Sequence, residues 1–494
     1  MTWRRKISAR PIVAASVRQD YMINRIVVVG GGITGLATAH RLIQLGQKNV
    51  TLVEASNRLG GTIQTQHRDD FLIERGPDSF ISEKPYAITL AQRLGLESQL
   101  IQTNEKHRRS FIVRDGRLHP VPEGFQLLAP SRLWPFLRSD IFSVKGKARM
   151  AADLFLPRRI RHGIDDESLA SFVRRRLGEE ALERMAQPMV GGIYTADPET
   201  LSLRATLPRF LDMEDQHRSL IVAMLRQKNA KQSGTSGARY SLFLSFDKGM
   251  HVLVDALWRA LGQIQADIRL NTKVEQLKLD NRTWTITTNT GEQLEADAIC
   301  LAVPAYVSAP LLNEINEPLA AKLRGIKYAS TATINFAYER SAIEHPLDGF
   351  GFVVPFVENR SLIACTFSNV KFSGRAPHDH VLLRAFAGGA LQPEIFKLDE
   401  SAMVAKVEAD LRELLGITAK PLFTEVAKWE RSMPQYMVGH LTHLIQIEVF
   451  TRKTPGLALA GNSYHGAGIP DCIRSGQSAA ESIITYLKPA PTPH

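Results

Sequence analysis

The chain has 494 residues, which is too long for a single hydrophobic core, so we expect two or three domains. Apolar residues make up 44% and charged residues 22%, values that exclude a disordered chain, and no run of about 18 apolar residues suggests a transmembrane helix. The net charge of +11 comes from dispersed basic residues without a nucleic-acid-binding motif. We therefore expect an anionic membrane surface or an anionic substrate as the partner, and no nucleic acid.

The first 23 residues are basic, and no acidic residue appears before Asp20. We expect residues 1–23 to be a disordered arm, or the result of a start assigned too early. A transit segment is the alternative, because such segments are rich in Arg and Ser and poor in acids. The compact domain is expected to begin near residue 24.

A glycine-rich turn follows the first predicted strand. Ile26–Val29 is a β-branched run typical of a buried parallel strand, and a helical pattern begins after the glycines. Gly30 is expected to make the tight turn, Gly32 to let the backbone approach a pyrophosphate, and Gly35 to let the helix pack on the strand. The phosphates would bind at the helix N-terminus, where the helix dipole favours negative charge.

The second predicted strand, Val50–Val53, ends at Glu54, about 20 residues after the glycine turn. A carboxylate at this place is expected to accept hydrogen bonds from the adenosine ribose hydroxyls. Arg58 follows, and it would supply positive charge near the phosphates. The adjacent Gly60 and Gly61 would let the backbone wrap the isoalloxazine end of a long cofactor, which favours FAD over NAD.

A second glycine-rich segment lies near the end of the chain. Leu457–Ala460 predicts a strand that ends at Gly461, and Gly468–Asp471 predicts the beginning of a last helix. Pro470 suits a first helical turn, and Asp471 complements the helix dipole. A helix N-terminus directed at the flavin would stabilise the anionic reduced ring. The two glycine-rich segments together predict one FAD-binding domain into which the rest of the chain is inserted.

The middle of the chain predicts two further units. Residues 127–200 combine short helical patterns with basic clusters such as Arg174–Arg176, which indicates a helical subdomain. Its basic, partly apolar face would either contact a membrane peripherally or be an ordinary solvated surface. Gln227–Tyr240 is polar and contains glycines, so we expect a loop. Strand-like runs such as Thr331–Tyr338 and Leu382–Phe386 predict a mixed domain with a mainly antiparallel sheet.

The expected fold class is α/β, or α+β overall. We expect an FAD-binding Rossmann-like domain with an inserted mixed-sheet substrate domain and a helical subdomain. The predicted boundaries are a basic arm at 1–23, the FAD-binding domain at 24–105, 241–304 and 451–487, the substrate domain at 106–126, 201–240 and 305–450, the helical subdomain at 127–200, and a tail at 488–494.

The chain has three cysteines, Cys300, Cys365 and Cys472. Their wide spacing predicts neither a metal site nor a disulfide framework. We expect buried or partly buried thiols in a reducing compartment.

Four segments make the chain resemble the flavin-containing amine oxidase superfamily and, within it, the oxygen-dependent porphyrinogen oxidases of haem synthesis. They are Glu74–Phe80, Gly191–Pro198 with Leu201–Ser202, Trp429 with Pro434–Tyr436 and Gly439–His440, and Gly461–Asn462 with Gly468–Cys472 and Ser475–Gly476. The resemblance covers residues 24–487. The stretch His217–Ile221 is most similar to the bacterial branch, several of whose members oxidise coproporphyrinogen.

The resemblance implies an activity. Members bind FAD non-covalently and move hydride from a methylene bridge of a porphyrinogen to flavin N5, while a pyrrole N–H gives up its proton. Molecular oxygen then takes the electrons and leaves as hydrogen peroxide, and repeated cycles complete a six-electron oxidation. No strong protein base is required, so we name no catalytic side chain. The substrate is protoporphyrinogen IX or coproporphyrinogen III, and the sequence leaves both open.

The resemblance also implies the site residues. Those expected to bind FAD are Gly30, Gly32, Ile33, Thr34, Gly35, Glu54, Arg58, Gly60, Gly61, Thr62, Gly76, Pro77, Asp78, Ser79, Val274, Trp429, Gly461, Gly468, Ile469 and Pro470. Those expected to contact substrate are Lys84, Gly192, Val353, Thr366 and Phe386. For Val353, Thr366 and Phe386, ordinary core packing is the alternative.

The expected anchor for a substrate propionate departs from the family pattern. Eukaryotic members carry an arginine shortly after the Gly-Pro pair, and here Ile81 holds that place. Lys84, three residues further on, is the expected replacement, as a lysine is in the bacterial branch. A solvated surface lysine is the alternative.

Three other classes of protein share part of these features. An amine oxidase should have aromatic walls at the flavin, whereas Ala467–Pro470 contains no aromatic residue. A carotenoid desaturase should lack the segment Gly192–Pro198, and a non-catalytic flavin- or porphyrin-binding protein would need few diagnostic side chains. The expected partners are a porphyrinogen, oxygen, the inner face of the cell membrane as a peripheral contact for a cytoplasmic protein, and a haem-pathway enzyme such as ferrochelatase.

Overall fold

The structure is a computed structural model that describes residues 24–488 apart from positions 162, 164 and 234–241. It combines helices with several separate sheets, which confirms the predicted mixed fold class. The arm predicted at 1–23, the tail after residue 488 and the last part of the loop predicted before Tyr240 lie outside the described residues.

A five-stranded parallel sheet, the nucleotide sheet, lies at the centre of the cofactor-binding part. Its strands in spatial order are Asp267–Arg269, Val50–Val53, Ile26–Val29, Ala298–Leu301 and Leu457–Leu459. Successive side chains of a strand point to opposite faces, so Ile26 and Val28 belong to one buried core while Val27 and Val29 belong to another. Because its strands come from both ends and the middle of the chain, the rest of the chain is inserted between them.

Helices cover both faces of the nucleotide sheet, as apolar parallel strands require. The helices on one face are Ile33–Gln44, Tyr86–Arg93, His251–Gln263 and Ile469–Leu487. The other face packs against the helices Ala305–Leu311, Glu317–Gly325 and His440–Arg452 and an antiparallel meander of Val274–Asp280, Thr283–Thr288 and Gln293–Ala296.

The first helix, Ile33–Gln44, and the last helix, Ile469–Leu487, cross in direct backbone contact. A Cβ atom added at Gly476 would overlap the carbonyl oxygen of Thr34 and lie 2.9 Å from Thr38 Oγ1. Thr38 Oγ1 donates to the Thr34 carbonyl at 2.9 Å, so the buried hydroxyl is satisfied. The crossing brings the two glycine-rich segments of the sequence to one crevice.

A seven-stranded sheet, the substrate sheet, forms the centre of the second domain. Its strands in spatial order are Phe423–Pro434, Tyr328–Glu339, His380–Gly388, Ala364–Phe367, Gly351–Val353, Phe111–Arg114 and Arg117–Pro120. All neighbouring strands are antiparallel except the fifth and sixth. One face buries Ile334, Cys365 and Ala385 in a core shared with the helix Glu400–Leu415. The side chain of Thr333, next to Ile334, lies on the opposite face and donates to the carbonyl of Arg75 in the cofactor-binding part, at 2.6 Å.

The structure also contains shorter elements outside the two large sheets. They are the hairpin Thr65–Arg68 and Phe71–Glu74, the three-stranded sheet Phe80–Ile81, Phe243–Phe246 and Leu100–Gln102, the two-stranded pair Phe125–Gln126 and Ala129–Pro130, the helices Ser368–Lys371 and Pro393–Lys397, and 3-10 turns at Glu97–Gln99, Glu105–His107, Arg340–Ala342 and Phe356–Glu358. Of these, the strands Phe71–Glu74 and Phe80–Ile81 flank residues 75–79, and the carbonyl of Arg75 accepts hydrogen bonds from Thr333 and Trp429 of the substrate sheet.

A helical lobe packs beside the substrate sheet. Its helices are Leu133–Arg138, Val144–Ala151, Leu169–Arg176, Glu179–Ala181, Gln187–Tyr194, Leu203–Thr206, Pro208–His217 and Leu220–Ser233, with a 3-10 turn at Ala152–Leu154 and a π-helical turn at Leu182–Ala186. Their buried side chains, from Phe136 to Met224, form one core. The predicted boundary at residue 200 passes through this core. The sequence shows no break at that position, because apolar helical patterns continue on both sides of it.

The loop expected from Gln227 is wrong as far as Ser233, because the helix Leu220–Ser233 continues through those residues. The segment changes there from apolar to polar residues, and a polar run carries no apolar periodicity from which a helix could be predicted.

The basic cluster Arg174–Arg176 does not present a free cationic face. Arg176 is buried and its Nε donates to the buried carboxylate of Asp153 at 2.7 Å. Arg175 Nη1 donates to Glu214 Oε1 at 2.6 Å. Buried charges require such partners, so this cluster mainly holds the helical lobe together. No described helix is long and apolar enough to cross a membrane.

Candidate active site

The glycine turn after Ile26–Val29 has the backbone that its sequence predicts. Gly30 adopts φ +106°, and a Cβ atom there would lie 2.6 Å from the carbonyl oxygen of Ala302. A Cβ atom at Gly35 would overlap the carbonyl oxygen of Gly30. These two glycines are therefore required by the packing of the turn itself. Gly32 differs, because its Cβ position meets only Gly61 Cα, at 4.0 Å, and otherwise faces open space.

The first helix begins at Ile33 without a side-chain cap. Gly32 is its N-cap residue, and no side chain accepts a hydrogen bond from the first turn. The first backbone N–H groups of a helix have no partner within it. In this helix the N–H groups of Ile33 and Thr34 are at its beginning, next to the open space beside Gly32. This end of the helix can therefore bind an anionic phosphate group.

Glu54 lies at the end of its strand, beside the glycine turn. Its Oε2 accepts a hydrogen bond from the backbone N–H of Gly31 at 2.6 Å, and its Oε1 accepts one from Ser56 N at 2.8 Å. A carboxylate has about four lone-pair sites, so Glu54 can still accept from ribose hydroxyls. The backbone of Glu54 also accepts from Thr272 N at 2.8 Å, two residues before the buried Val274.

Arg58 fixes the second glycine loop. Its Nη2 donates to the carbonyl of Gly61 at 2.6 Å and its Nη1 to that of Leu59 at 3.2 Å. Gly60 forms a parallel bridge with Gly32. Gly61 and Thr62 are exposed next to the open space that Gly32 faces. The main role of Arg58 in this structure is therefore to hold the loop, and its expected contact with phosphate stays a prediction.

The segment Gly76–Ser79 packs directly on that loop. A Cβ atom at Gly76 would overlap the carbonyl oxygen of Thr62, so glycine is required there. The carbonyl of Gly76 accepts a hydrogen bond from Arg384 Nη2. Pro77 is half-buried after it, and Ser79 Oγ donates to Asp78 Oδ1 at 2.7 Å.

A group of buried charges that the sequence analysis missed surrounds Asp78. Lys371 Nζ lies 2.9 Å and Arg384 Nη1 3.6 Å from Asp78 Oδ2. Burial alone would raise the pKa of Asp78, but the charges of Lys371 and Arg384 hold it below its ordinary value. The sequence does contain a signal for this group, because Arg384 is a charged residue inside the otherwise apolar strand His380–Gly388. Apolar periodicity alone does not show which partner such a residue has.

Glu74 is a second buried carboxyl group in this region. It accepts hydrogen bonds from Met250 N at 2.7 Å and Thr65 Oγ1 at 2.8 Å. Burial raises the pKa of Glu74 to about 7, against the effect of these two hydrogen bonds. It holds the hairpin Thr65–Arg68 and Phe71–Glu74 to the helix His251–Gln263.

Trp429 joins the substrate sheet to the same segment. Its Nε1 donates to the carbonyl of Arg75 at 2.9 Å, and Thr333 Oγ1 donates to the same carbonyl at 2.6 Å. The chain of contacts therefore runs from Gly61 and Thr62 through the Arg75–Gly76 backbone to the substrate sheet.

The C-terminal glycine segment closes the other side of the crevice. Gly461 is buried and adopts φ +134°, yet a Cβ atom there would meet no atom within 4 Å. Gly468 is the N-cap residue of the last helix, followed by the buried Ile469 and Pro470. The Tyr436 hydroxyl donates to the carbonyl of Asn462, which fixes the loop between strand and helix.

The residues of the crevice fit a long anionic cofactor such as FAD. Gly32 and Gly461 both face space that a Cβ atom would enter, and the beginnings of the first and last helices offer unpaired N–H groups. Among the described residues, both side-chain polar atoms of Asn335 and the Nε atoms of Arg75 and Arg384 are buried without a hydrogen-bond partner. Unpaired buried polar atoms are uncommon in folded proteins, and these lie around the Arg75–Gly76 segment. The individual contacts of these residues with FAD stay predictions.

Three of the expected substrate residues lie on one face of the substrate sheet. Val353 is paired with Ala364, and Ala364 with Phe386 on the following strand; Thr366 is two residues further along the middle strand. Val353, Thr366 and Phe386 are partly exposed, whereas Cys365 between them is buried in the sheet core. They therefore face away from that core. The Arg384 guanidinium lies 4.6 Å from the centre of the Phe386 ring.

Gly192 lies opposite this face. It belongs to the helix Gln187–Tyr194 of the helical lobe, and a Cβ atom there would lie 3.8 Å from Val353 Cγ1. Tyr194, in the same helical turn, stands 6.4 Å from Tyr436 between ring centres. The helical lobe thus supplies a wall that faces both the substrate sheet and the C-terminal glycine segment.

Lys84 lies at the edge of the crevice and is half exposed. Its Nζ atom is 2.6 Å from Asp471 Oδ2 in the first turn of the last helix. Its expected pairing with a substrate propionate stays a prediction. Ile81, at the place of the family's arginine, lies on the short strand Phe80–Ile81 just before it.

The described residues contain no group of His, Cys, Asp or Glu that could hold a metal ion. The three cysteines are free and buried. Burial raises the pKa values of the Cys300 and Cys472 thiols to about 12. The thiols are therefore protonated packing groups, and the site offers no nucleophilic cysteine.

Comparisons with known proteins agree on one family. A family model described as flavin containing amine oxidoreductase matches residues 33–484. Coproporphyrinogen III oxidase of Bacillus subtilis (strain 168) is 35% identical over 470 residues, which cover 94% of this chain and 98% of that protein. Chloroplastic protoporphyrinogen oxidase of Oryza sativa subsp. japonica is 32% identical over 487 residues, which cover 93% of this chain and 88% of that protein.

Solved structures share the same architecture. A crystal structure from Exiguobacterium sp. 255-15 matches with a TM-score of 0.83 and 31% identity, and the match covers 93% of this chain and 98% of that one. A putrescine oxidase variant matches with a TM-score of 0.67 at 18% identity, which concerns the fold alone. With the family match over almost the whole chain and a crevice that fits the cofactor, the chain belongs to the flavin-containing amine oxidoreductase family and uses FAD.

Proposed function

We propose that this protein oxidises a porphyrinogen to the porphyrin in haem synthesis, with FAD bound non-covalently. The observation that carries the proposal is the junction between the FAD crevice and the substrate sheet. There the Gly76 carbonyl accepts from Arg384, which stacks on Phe386. Relatives named coproporphyrinogen III oxidase and protoporphyrinogen oxidase, which match 94% and 93% of the chain, support the choice of substrate class.

The chemistry needs little from the protein beyond binding and orientation. FAD, when bound, accepts the hydride that leaves a methylene bridge of the substrate. Val353 and Phe386 offer partly exposed apolar side chains to a flat macrocycle, and Gly192 of the neighbouring helical lobe stands next to Val353. The last helix directs its N-terminus at the crevice, where a helix dipole stabilises negative charge. We assign no general base, because the pyrrole N–H can lose its proton to water.

We take coproporphyrinogen III as the first candidate substrate, since three bacterial relatives with that name are 33–36% identical to this chain. Purified yellow protein should convert coproporphyrinogen III in air, followed by the fluorescence of the porphyrin and by release of hydrogen peroxide. Protoporphyrinogen IX should be converted with a lower kcat/KM. Faster turnover of protoporphyrinogen IX would reverse the choice between the two, and turnover of neither would contradict the proposal.

Oxygen as the electron acceptor and transfer of the porphyrin to a haem-pathway enzyme such as ferrochelatase are parts of the same proposal. The transfer follows from the substrate class, because a tetrapyrrole that has become aromatic is ready for metal insertion. Oxygen enters the proposal because the reduced flavin must be reoxidised before each further hydride transfer. Because each flavin accepts two electrons and the complete oxidation removes six, replacement of air by argon should stop the reaction after one hydride per flavin, which corresponds to about one third of an equivalent of porphyrin.

We further propose that the helical lobe contacts the inner face of the cell membrane peripherally, as part of a cytoplasmic protein. It carries the large exposed apolar side chains Trp134 (63% exposed), Val144 (84%) and Phe155 (81%), with Lys145 and Lys147 beside Val144. Apolar side chains that insert at the interface, together with basic neighbours, favour an anionic bilayer.

Vesicles that contain anionic lipid should therefore sediment the wild-type protein more strongly than the variant Trp134→Ser/Val144→Ser/Phe155→Ser. Each apolar side chain is expected to contribute about 1–2 kcal/mol if it inserts. Ile264→Ser, at an exposed position on another surface, is the matched control and should bind like wild type. Equal binding of wild type, the triple variant and the control would show that the exposed face of the lobe is an ordinary solvated surface.

A further inference from the structure

The ion pair between Lys84 and Asp471 has one exposed and one buried member. The two charged groups are 2.6 Å apart, the Lys84 side chain is 48% exposed and that of Asp471 is 6% exposed. Lys84 precedes the helix Tyr86–Arg93, and Asp471 lies in the first turn of the last helix. The pair therefore connects the edge of the crevice to the helix that begins at the cofactor site.

Asp471 is held firmly by its surroundings. Gly466 packs against its carboxyl group so closely that a Cβ atom there would overlap it. Arg474 Nη2, at 3.5 Å, is its other cationic neighbour. A buried carboxylate that loses its partner costs several kcal/mol. The Lys84 ammonium group is therefore expected to stay on Asp471 when a ligand arrives.

The ammonium group of Lys84 still has donors to offer. A lysine ammonium carries three N–H donors, and Asp471 Oδ2 is the one acceptor that binds it in the described part of the chain. Because half of the side chain is exposed, a second carboxylate can approach the remaining donors. The pair therefore presents an ammonium group that is held in place by Asp471 and still has N–H donors for a ligand.

Asp471 also lies close to the expected substrate wall. Gly466, which packs against the Asp471 carboxyl group, donates its backbone N–H to the Tyr436 hydroxyl at 3.0 Å, and the Tyr436 ring stands 6.4 Å from the Tyr194 ring between centres. Tyr194 is in the same helical turn as Gly192, which faces Val353. The fixed cation is therefore at the edge of the cleft that would receive the macrocycle.

We propose that Asp471 is a positioning residue: it fixes the Lys84 ammonium so that the free donors bind a carboxylate group of the substrate. The inference rests on the proposed porphyrinogen oxidase function. It adds a residue buried beneath the anchor, whose effect on the substrate passes through Lys84 alone.

The test compares Lys84→Met, Asp471→Asn and the double variant with coproporphyrinogen III and with its tetramethyl ester, which has no carboxylates. With the tetracarboxylate, Lys84→Met should raise KM about 10-fold or more, as expected for one lost charge-assisted hydrogen bond. Asp471→Asn should raise KM in the same direction, and the double variant should be no worse than Lys84→Met, since the two residues act as one unit. The kcat values and all kinetics with the ester should stay within about 3-fold of wild type.

Two further measurements separate a positioning role from a structural one. Flavin content and the reduction potential of the bound flavin should be unchanged in all three variants. Binding of the oxidised porphyrin, coproporphyrin III, measured by fluorescence quenching, should weaken in parallel with KM. Asp471→Glu, which keeps the charge, provides a second variant should Asp471→Asn fail to fold. Glu481→Gln, on the exposed side of the same helix, is the matched control.

Several outcomes would overturn the inference. The first is an Asp471→Asn variant with wild-type KM for the tetracarboxylate. The second is a double variant whose increase in KM is the product of the two single increases. The third is an increase in KM for the ester as large as that for the tetracarboxylate. A shift of the flavin potential without a change in KM would assign Asp471 to the cofactor instead. Failure of the proposed function itself looks different, because the wild-type protein would then turn over neither the acid nor the ester.

Discussion

Gly32→Val should give a folded protein that contains almost no flavin. The Cβ position of Gly32 faces open space beside Gly61, and the first helix offers its unpaired N–H groups at the same place. A valine side chain would fill the space that a pyrophosphate must enter. Loss of two charge-assisted hydrogen bonds would cost about 3–6 kcal/mol, or a roughly 100-fold or greater loss of FAD affinity.

The measurement is the flavin content of the purified variant after acid precipitation. Wild-type protein should release all its flavin into the supernatant, because the cofactor is expected to be non-covalent. Gly262→Val is the matched control, since Gly262 is exposed at the end of the helix His251–Gln263 and a Cβ atom there meets nothing within 4 Å. A yellow Gly32→Val protein with full flavin content would refute the assignment of the phosphate site.

Arg384→Met should lower the free energy of unfolding by about 3–5 kcal/mol, the usual cost of removing one partner from a buried ion pair. Arg384 is buried on the substrate sheet, donates to the Gly76 carbonyl and neighbours Asp78. Without it, Asp78 keeps Lys371 as its nearest cation, and the contact between the substrate sheet and the Gly76 segment is lost.

Urea unfolding at neutral pH, with intrinsic fluorescence as the probe, measures this difference. Arg324→Met is the matched control, because Arg324 forms an exposed pair with Glu317 and such pairs contribute under about 1 kcal/mol.

The stability difference should also depend on pH. The pKa of Asp78 is lowered in the folded protein, so the ionised carboxylate adds stability above the pKa that Asp78 has in the unfolded chain. This added stability is lost as the pH falls through the pKa of the folded state. The difference between wild type and Arg384→Met should therefore shrink in acid. A variant as stable as wild type at neutral pH would contradict the role of this buried cluster.

Local features of the site could be predicted from the sequence, because they depend on residues close together in the chain. The strand Ile26–Val29, the turn at Gly30 and the close packing at Gly35 are properties of one short segment, and glycine is the residue that such a backbone requires. The strand Val50–Val53 and the beginning of the last helix could be predicted for the same reason, from a short apolar run and from residues typical of a helix start. The antiparallel character of the second sheet followed from its strand-like runs.

Contacts between distant segments could not be predicted. The cluster of Asp78, Lys371 and Arg384 joins three parts of the chain, and the pair of Lys84 and Asp471 joins two. A charged residue in a strand or at a helix start does not show which partner the tertiary fold will bring to it. The helix that continues to Ser233 was missed for a related reason, since its polar last turns depend on neighbours rather than on an apolar pattern of their own. The boundary at residue 200 was placed inside one core because apolar helical patterns continue on both sides of it.

Anaerobic mixing of the yellow protein with one equivalent of coproporphyrinogen III tests the central claim most directly. If the FAD crevice and the substrate face form one active site, the yellow absorbance of the flavin should bleach within the mixing experiment. Admission of air should restore the yellow colour, and porphyrin fluorescence should grow as turnover continues. A flavin that stays oxidised with coproporphyrinogen III and with protoporphyrinogen IX, in protein that carries its full complement of FAD, would contradict the account.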